Sequence, residues 1–219
     1  MLLNSCGKGI FAGRITEGVI EYALSFPDIE PDGIMSGMLP ERTYLYFDKD
    51  RQVAELSAGM GLFKTTVIAD NDERKLDYHL AIMGKRLVAH MGEGDVRHMA
   101  PQDNRMTLVW TNEFDTISGM HCRKAVAIYD DIALPEVELY YTDQIQMGSP
   151  NWFGPYSEIP GVLLRYEMVQ NGIRMRLNAV AVKPGPVERS RFSPLPDHTP
   201  VGVEQLSAEL ASVLSAFSQ

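Results

Sequence analysis

Residues 105–130 read RMTLVWTNEFDTISGMHCRKAVAIYD, and the reading of this stretch decides the fold. Met106, Leu108, Trp110 and Phe114 fall on one face of an extended chain, with mostly polar residues between them. Alternation of period two is the mark of a half-buried strand. Ser118-Gly119 then supplies a turn, and MHCRKAVAIYD returns as a second strand, so the stretch predicts a β-hairpin.

The same period extends in both directions. Upstream, Ile20, Tyr22, Leu24 and Phe26 share a face in GVIEYALSF. RTYLYFDKDRQVAEL predicts two strands around an Asp48-Lys49-Asp50 turn. FKTTVIADNDERKLDYHLAIM repeats the scheme around Asn71-Asp72-Glu73, setting Leu76, Tyr78, Leu80 and Ile82 on one side and taking Met83 into the strand. Downstream, PEVELYYTDQI predicts a strand, and VLLRYEMVQNGIRMRLNAVAV a hairpin around Asn171-Gly172. Residues 92–104, GEGDVRHMAPQDN, carry no period and read as a loop. Helix is predicted twice: a short one in PDGIMSGML, and a C-terminal one with Leu206, Leu210, Val213, Leu214 and Phe217 on one stripe. About ten antiparallel strands with short connections predict a mainly β chain, one curved antiparallel sheet or incomplete barrel. Residues 1–12 read as a leader remnant or tether, and 13–219 as one half-barrel domain.

A formal net charge of −9 argues against a nucleic-acid partner, which requires a basic stripe. It also argues against charge-driven adsorption to an anionic membrane. No apolar run is long enough to span a bilayer as a helix. Two cysteines, Cys6 and Cys122, are too few for a disulfide scaffold; they can pair with each other or stay as thiols.

Catalytic signatures are missing: there is no nucleophile elbow, no phosphate loop and no His-Glu-x-x-His. His90 and His98 lack a standard metal spacing, and Glu93 with Asp95 makes too few ligands for a cation cage. His121 and Cys122 are adjacent on a strand and face opposite sides, so they form no nucleophile–base pair. The expectation is a non-enzymatic chain without cofactor or metal. Methionine is the unusual residue, with twelve in the chain. Thioethers re-pack easily, and suit either a surface for variable apolar ligands or the gaps of a curved core.

The second half carries a recognisable series of short pieces: Ile117, Gly119, Cys122, Lys124 and Ala125, then Tyr141-Thr142, then Ile159-Pro160-Gly161-Val162-Leu163. Together they resemble the GLPGLI family of Gram-negative envelope proteins over roughly residues 105–196, with Met120 where an aromatic is common. The resemblance implies a fold similar to the lipoprotein carriers (LolA-like), an unclosed antiparallel barrel with an apolar concave face. It also implies an exported protein. In that setting Leu3-Asn4-Ser5-Cys6 resembles the end of a bacterial lipoprotein signal, which would make Cys6 a lipid anchor and the only route to a membrane.

On this reading the concave face binds a hydrophobic ligand: a lipid, an acyl chain or a lipidated partner. Its candidate contacts are Met106, Leu108, Trp110, Trp152, Phe153, Tyr156, Leu164, Tyr166, Met168 and Met175. Trp152, Phe153 and Tyr156 are either an aromatic gate at the rim or a loop plug packed over one end of the core. Pro160-Gly161 turns the chain into the next strand, Gly161 permitting a left-handed backbone. The alternative is a structural or interaction lipoprotein whose core is filled; the interior volume separates the two.

Overall fold

The computed structural model describes residues 14–30, 37, 39–99, 105–170 and 173–215. Twelve strands are formed: β1 (Gly18–Ser25), β2 (Arg42–Phe47), β3 (Arg51–Ala58), β4 (Phe63–Asp70), β5 (Lys75–Ile82), β6 (Lys85–Gly92), β7 (Met106–Ile117), β8 (Met120–Tyr129), β9 (Val137–Thr142), β10 (Val162–Gln170), β11 (Ile173–Pro184) and β12 (Thr199–Pro200). Among the described residues two α-helices accompany them, α1 (Glu93–Met99) and α2 (Val203–Ser215). The strands make one curved sheet in the order β12-β6-β5-β4-β3-β2-β1-β11-β10-β9-β8-β7, which does not close. All neighbours are antiparallel except β12, which runs parallel to β6. Two meanders, β1–β6 and β7–β11, are joined where β1 pairs with β11. The hairpin of residues 105–130 is therefore β7–β8, as its alternation predicts.

Three bulges bend the sheet: at Glu21/Tyr22, between Leu163 and Arg165, and between Trp110 and Phe114. Turn chemistry sets the hairpin ends. Ser118 and Gly119 have φ of 51° and 79°, the left-handed pair of a tight hairpin turn. Met83 and Gly84 do the same at 45° and 85°, so Met83 is a turn residue and not the strand residue expected. Two other expectations need restating. Residues 93–99 form α1 where a loop is expected. PDGIMSGML, Asn171-Gly172, Cys6 and the end of the C-terminal stripe lie wholly or mostly outside the described residues.

The inner face carries Ile20, Tyr22, Phe47, Leu164 and Leu177 at the junction of the meanders. Further along the first meander it carries Phe63, Leu80, Leu87 and Ala89, against which α2 packs Leu206 and Leu210. The outer face of β3 and β4 is also covered. Val53 and Ile68 lie under Phe192, and the strap over them is pinned by Arg189 to Asp48 at 2.8 Å and Arg191 to Glu55 at 3.0 Å. Burial alone would raise the Asp48 carboxyl. Hydrogen bonds from the Arg51 side chain and from the backbone N–H groups of Asp50 and Arg51 outweigh it and hold the carboxyl below its ordinary value.

Farther along the strap, His79 of β5 is buried beneath Leu195 and His198, its Nδ1 without a partner among the described residues. Burial, followed by the neighbouring His198, lowers its pKa to about 4; Asp77 opposes the shift and His90 adds to it. A histidine of the unfolded chain titrates near 6.5. The unfolded state thus binds the proton first, so stability is full above pH ~6.5 and declines as pH falls toward 4. Denaturant unfolding at pH 7 and pH 4.5 should show a loss of about 1–2 kcal/mol traceable to this group, after discounting for solvent screening. A His79→Phe variant should lose that part of the pH dependence.

Candidate functional site

The segment between β9 and β10 runs through the interior and touches three packed groups in turn. Ile145 and Met147 join the cluster of Ile20 and Phe47. Trp152, with Phe153 against it, packs on Ala69, Leu76 and Met91. Tyr156 and Ile159 pack on Ala125, Leu139, Tyr141 and Leu163. Residues 145–161 therefore lie along the concave face, and the aromatics take up the plug arrangement.

Polar contacts fix the path. Gln52 Nε2 donates to Asn71 Oδ1 at 2.8 Å and to Pro150 O at 2.7 Å, and Trp152 Nε1 donates to Asn71 Oδ1 at 3.1 Å. Gly148 N donates to Lys49 O, and Arg74 lies over the Trp152 ring. Asn151 Nδ2 holds the far end by donating to the carbonyls of Ile159 and Gly161. Gly161 is not left-handed, contrary to expectation. Its need is for close approach: a Cβ there would overlap Thr142 O and lie 3.0 Å from Tyr141 Cδ2.

The ten residues expected to contact a ligand spread over the packed clusters. Leu164 is fully buried, with Tyr166, Met168 and Met175 packed beside it. Met106 and Leu108 lean on the group around Tyr156. Trp110 stands at the sheet edge, edge-to-face with Tyr141 at 6.1 Å. Tyr22, Tyr166 and Tyr156 form a run of edge-to-face rings at 6.3 and 6.4 Å. Tyr22 donates to Leu163 O and Tyr156 to Glu167 O, and burial raises both hydroxyls.

One apolar cavity of about 60 Å³ lies between the halves, walled by Leu56, Phe63, Tyr78, Met175 and Leu210, with Leu39-Pro40 alongside. Of the ten expected residues it takes Met175 alone. Sequence reasoning missed the others, although Leu56, Phe63 and Tyr78 sit in the inward register of their strands. It also missed Gln52 and Asn71; a glutamine in phase with Ala54, Leu56 and Ala58 was the available signal.

As for reactive groups, Cys122 is buried and His121 exposed on the opposite side. Burial pushes the Cys122 thiol up to about 11, away from the thiolate a nucleophile needs. Among the described residues no three His, Cys, Asp or Glu side chains gather to hold a metal ion. No helix of the described residues is long and apolar enough to cross a membrane.

No family model matches the chain, and no curated protein does. Solved structures do. Two crystal forms of PNGF-II each superpose with a TM-score of 0.56, at 14% and 13% identity, over 89% and 90% of this chain. This chain spans 33% of the length of PNGF-II. At such identity the likeness shows the fold alone. A beta-barrel-like protein of domain of unknown function DUF1849 from Brucella abortus matches at 11% identity over 80% of this chain and 100% of that one, with a TM-score of 0.26, too loose to show a shared fold. The fold and the likeness to PNGF-II define a barrel-like β domain with an open, strongly curved sheet.

The Gly161 contact is directly testable. Gly161→Ala must displace Thr142 or Tyr141 at the foot of the interior segment. It should lower unfolding stability by about 1–3 kcal/mol in urea, the range for an overpacked interior.

Proposed function

We propose that this chain is a non-enzymatic interaction domain of the cell envelope whose interior is a packed core, and which acts through its outer surfaces. One observation carries the reading: residues 145–161 occupy the concave face, and the apolar cavity farther along, between Leu56, Phe63, Met175 and Leu210, is about 60 Å³. Pockets for small molecules begin near 300 Å³, and an acyl chain needs that scale of space. The location rests on the resemblance to envelope proteins and on the Leu3-Asn4-Ser5-Cys6 pattern, with Cys6 as the acylated anchor.

A second reading is supported by the same cavity, which is mainly apolar, with Thr65 and Tyr78 in its wall, and has room for a group the size of a branched methyl cluster. In that version the chain grips the tip of a hydrophobic ligand between Phe63, Tyr78 and Leu210.

Native mass spectrometry of the purified chain, with titration of a fluorescent fatty acid, separates the two. The packed-core reading expects the bare mass and no saturable fluorescence change up to about 0.1 mM. Co-purifying lipid, or saturation that Tyr78→Trp abolishes by filling the cavity, would establish the ligand-binding version instead. Metabolic labelling with an alkyne fatty acid, lost in Cys6→Ser, checks the anchor.

A further inference from the structure

The two edges of the open sheet are treated differently. At one end the strap of residues 187–200 crosses the outer face and pairs β12 with β6, and α2 then folds back onto the inner face. At the other end β7 is the terminal strand. Among the described residues β8 is the only strand paired with it, so the outward N–H and C=O groups of a twelve-residue strand have no ladder partner there. Such an edge is a template for another strand unless it is blunted.

β7 is bulged in its middle, between Trp110 and Phe114, and the stretch Met106–Trp110 before the bulge is not blunted. Val109 is 41% exposed and Trp110 51%, and by strand alternation they point to opposite faces. Ile128 of β8 is exposed on the Val109 side. Phe114, 56% exposed, stacks on His121 beyond the bulge. The edge is therefore apolar on both faces, which suits an added strand and does not suit a flat partner covering one side.

Charge selects the added strand. Residues 105–143 contain seven carboxylates against three basic side chains. That is a net −4 out of the chain's −9. The acids flank the apolar stretch. Asp130 and Asp131 lie exposed beside the start of β7, and Glu113 lies within the mid-strand bulge with Asp115 just past it. Lys124 reaches Glu113 and Glu138 at once, so one negative charge of that group is left over beside the bulge, while Arg165 pairs with Asp115. A second copy of this chain would bring the same acids to the same edge and is disfavoured.

We propose that β7 is a docking edge for an extended segment of another polypeptide, with an apolar β-branched centre and lysine or arginine at both ends, added as a further strand. This rests on the interaction-domain reading above and names the surface and the partner's chemistry. Main-chain hydrogen bonds supply the attachment and the flanking ion pairs the selectivity.

The test uses the full chain and the synthetic peptide Lys-Lys-Val-Thr-Val-Thr-Val-Lys-Lys, with a Glu-for-Lys counterpart. Amide exchange followed by NMR should show the β7 amides slowed about tenfold or more by the basic peptide. The effect should weaken as salt rises from about 0.05 to 0.5 M. The acidic peptide should leave β7 unchanged, and Trp110→Ser, a half-exposed change that spares the core, should reduce the protection. No β7 protection at millimolar basic peptide, equal protection by both peptides, or protection confined to other strands would overturn the proposal. So would β7 protection that grows with protein concentration alone, which would assign the edge to a second copy. None of these outcomes bears on the lipid titration, so the edge can fail while the packed-core reading stands, and the reverse.

Discussion

The side-chain oxygen of Asn71 is the point on which the interior depends. It accepts from Gln52 and from the Trp152 indole, and an indole N–H can only donate. That fixes which way the Asn71 amide faces, and leaves its Nδ2 buried without a partner among the described residues. Buried polar bonds in a low-dielectric setting are strong when made and expensive when broken. This knot ties the β4–β5 turn, β3 and the 145–161 segment into one unit. The unpartnered donor is tolerated because Trp152 fills the space between Ala69, Leu76 and Met91. Without that segment the two meanders would face each other across an apolar trough open to water.

An unclosed sheet must also settle its edges. The first meander does so with its own chain. Phe192 and the arginines 189 and 191 fasten the strap to the outer face, and the short proline-bearing β12 ends the ladder at β6. The second meander carries no equivalent strap in the described residues, and its terminal strand answers with a mid-strand bulge and two carboxylates, Glu113 and Asp115, in and just past it. The asymmetry is a consequence of chain order. The C-terminal residues leave β11 in the middle of the sheet and turn toward β3 and β6, so they cover one wing and not the other.

Much of the sheet was legible because period-two alternation is a local signal. Ile20, Tyr22, Leu76, Leu80 and the β7–β8 hairpin all face as their spacing predicts. α1 was not, because seven residues with Gly94 inside and Val96 packed on the core make no stripe. Its one local mark is Asp95, whose carboxylate accepts from Gly92 N. Met83 was misplaced because a methionine after an apolar strand reads as more strand, whereas a left-handed turn residue followed by glycine is the true signal. The candidate site was the least legible part. Trp152, Phe153 and Tyr156 were picked out as a group, but whether they line a pocket or fill it depends on residues far back in the chain, such as Ala69, Leu76 and Asn71, the last of them 81 positions before Trp152. Gly161 shows the same limit: its crowding comes from β9, not from its own dihedral angles.

Magnitudes favour a plug over a gate. Opening the concave face would expose Trp152, Tyr156 and Ile159 together, and each large buried side chain is worth about 2–3 kcal/mol. The sum, near 6–9 kcal/mol, is an upper bound, because unfolded or displaced chains bury some of that surface again. It still rivals the whole stability of an ordinary domain, about 5–15 kcal/mol. The Gln52 and Trp152 hydrogen bonds to Asn71, and the Asn151 bonds to Ile159 and Gly161, would be lost in addition. A ligand would have to return all of this before gaining any affinity. A chain that threads its own aromatics through its trough has committed the concave face to folding, which is why the proposed interaction role turns to the outer surfaces and the edge.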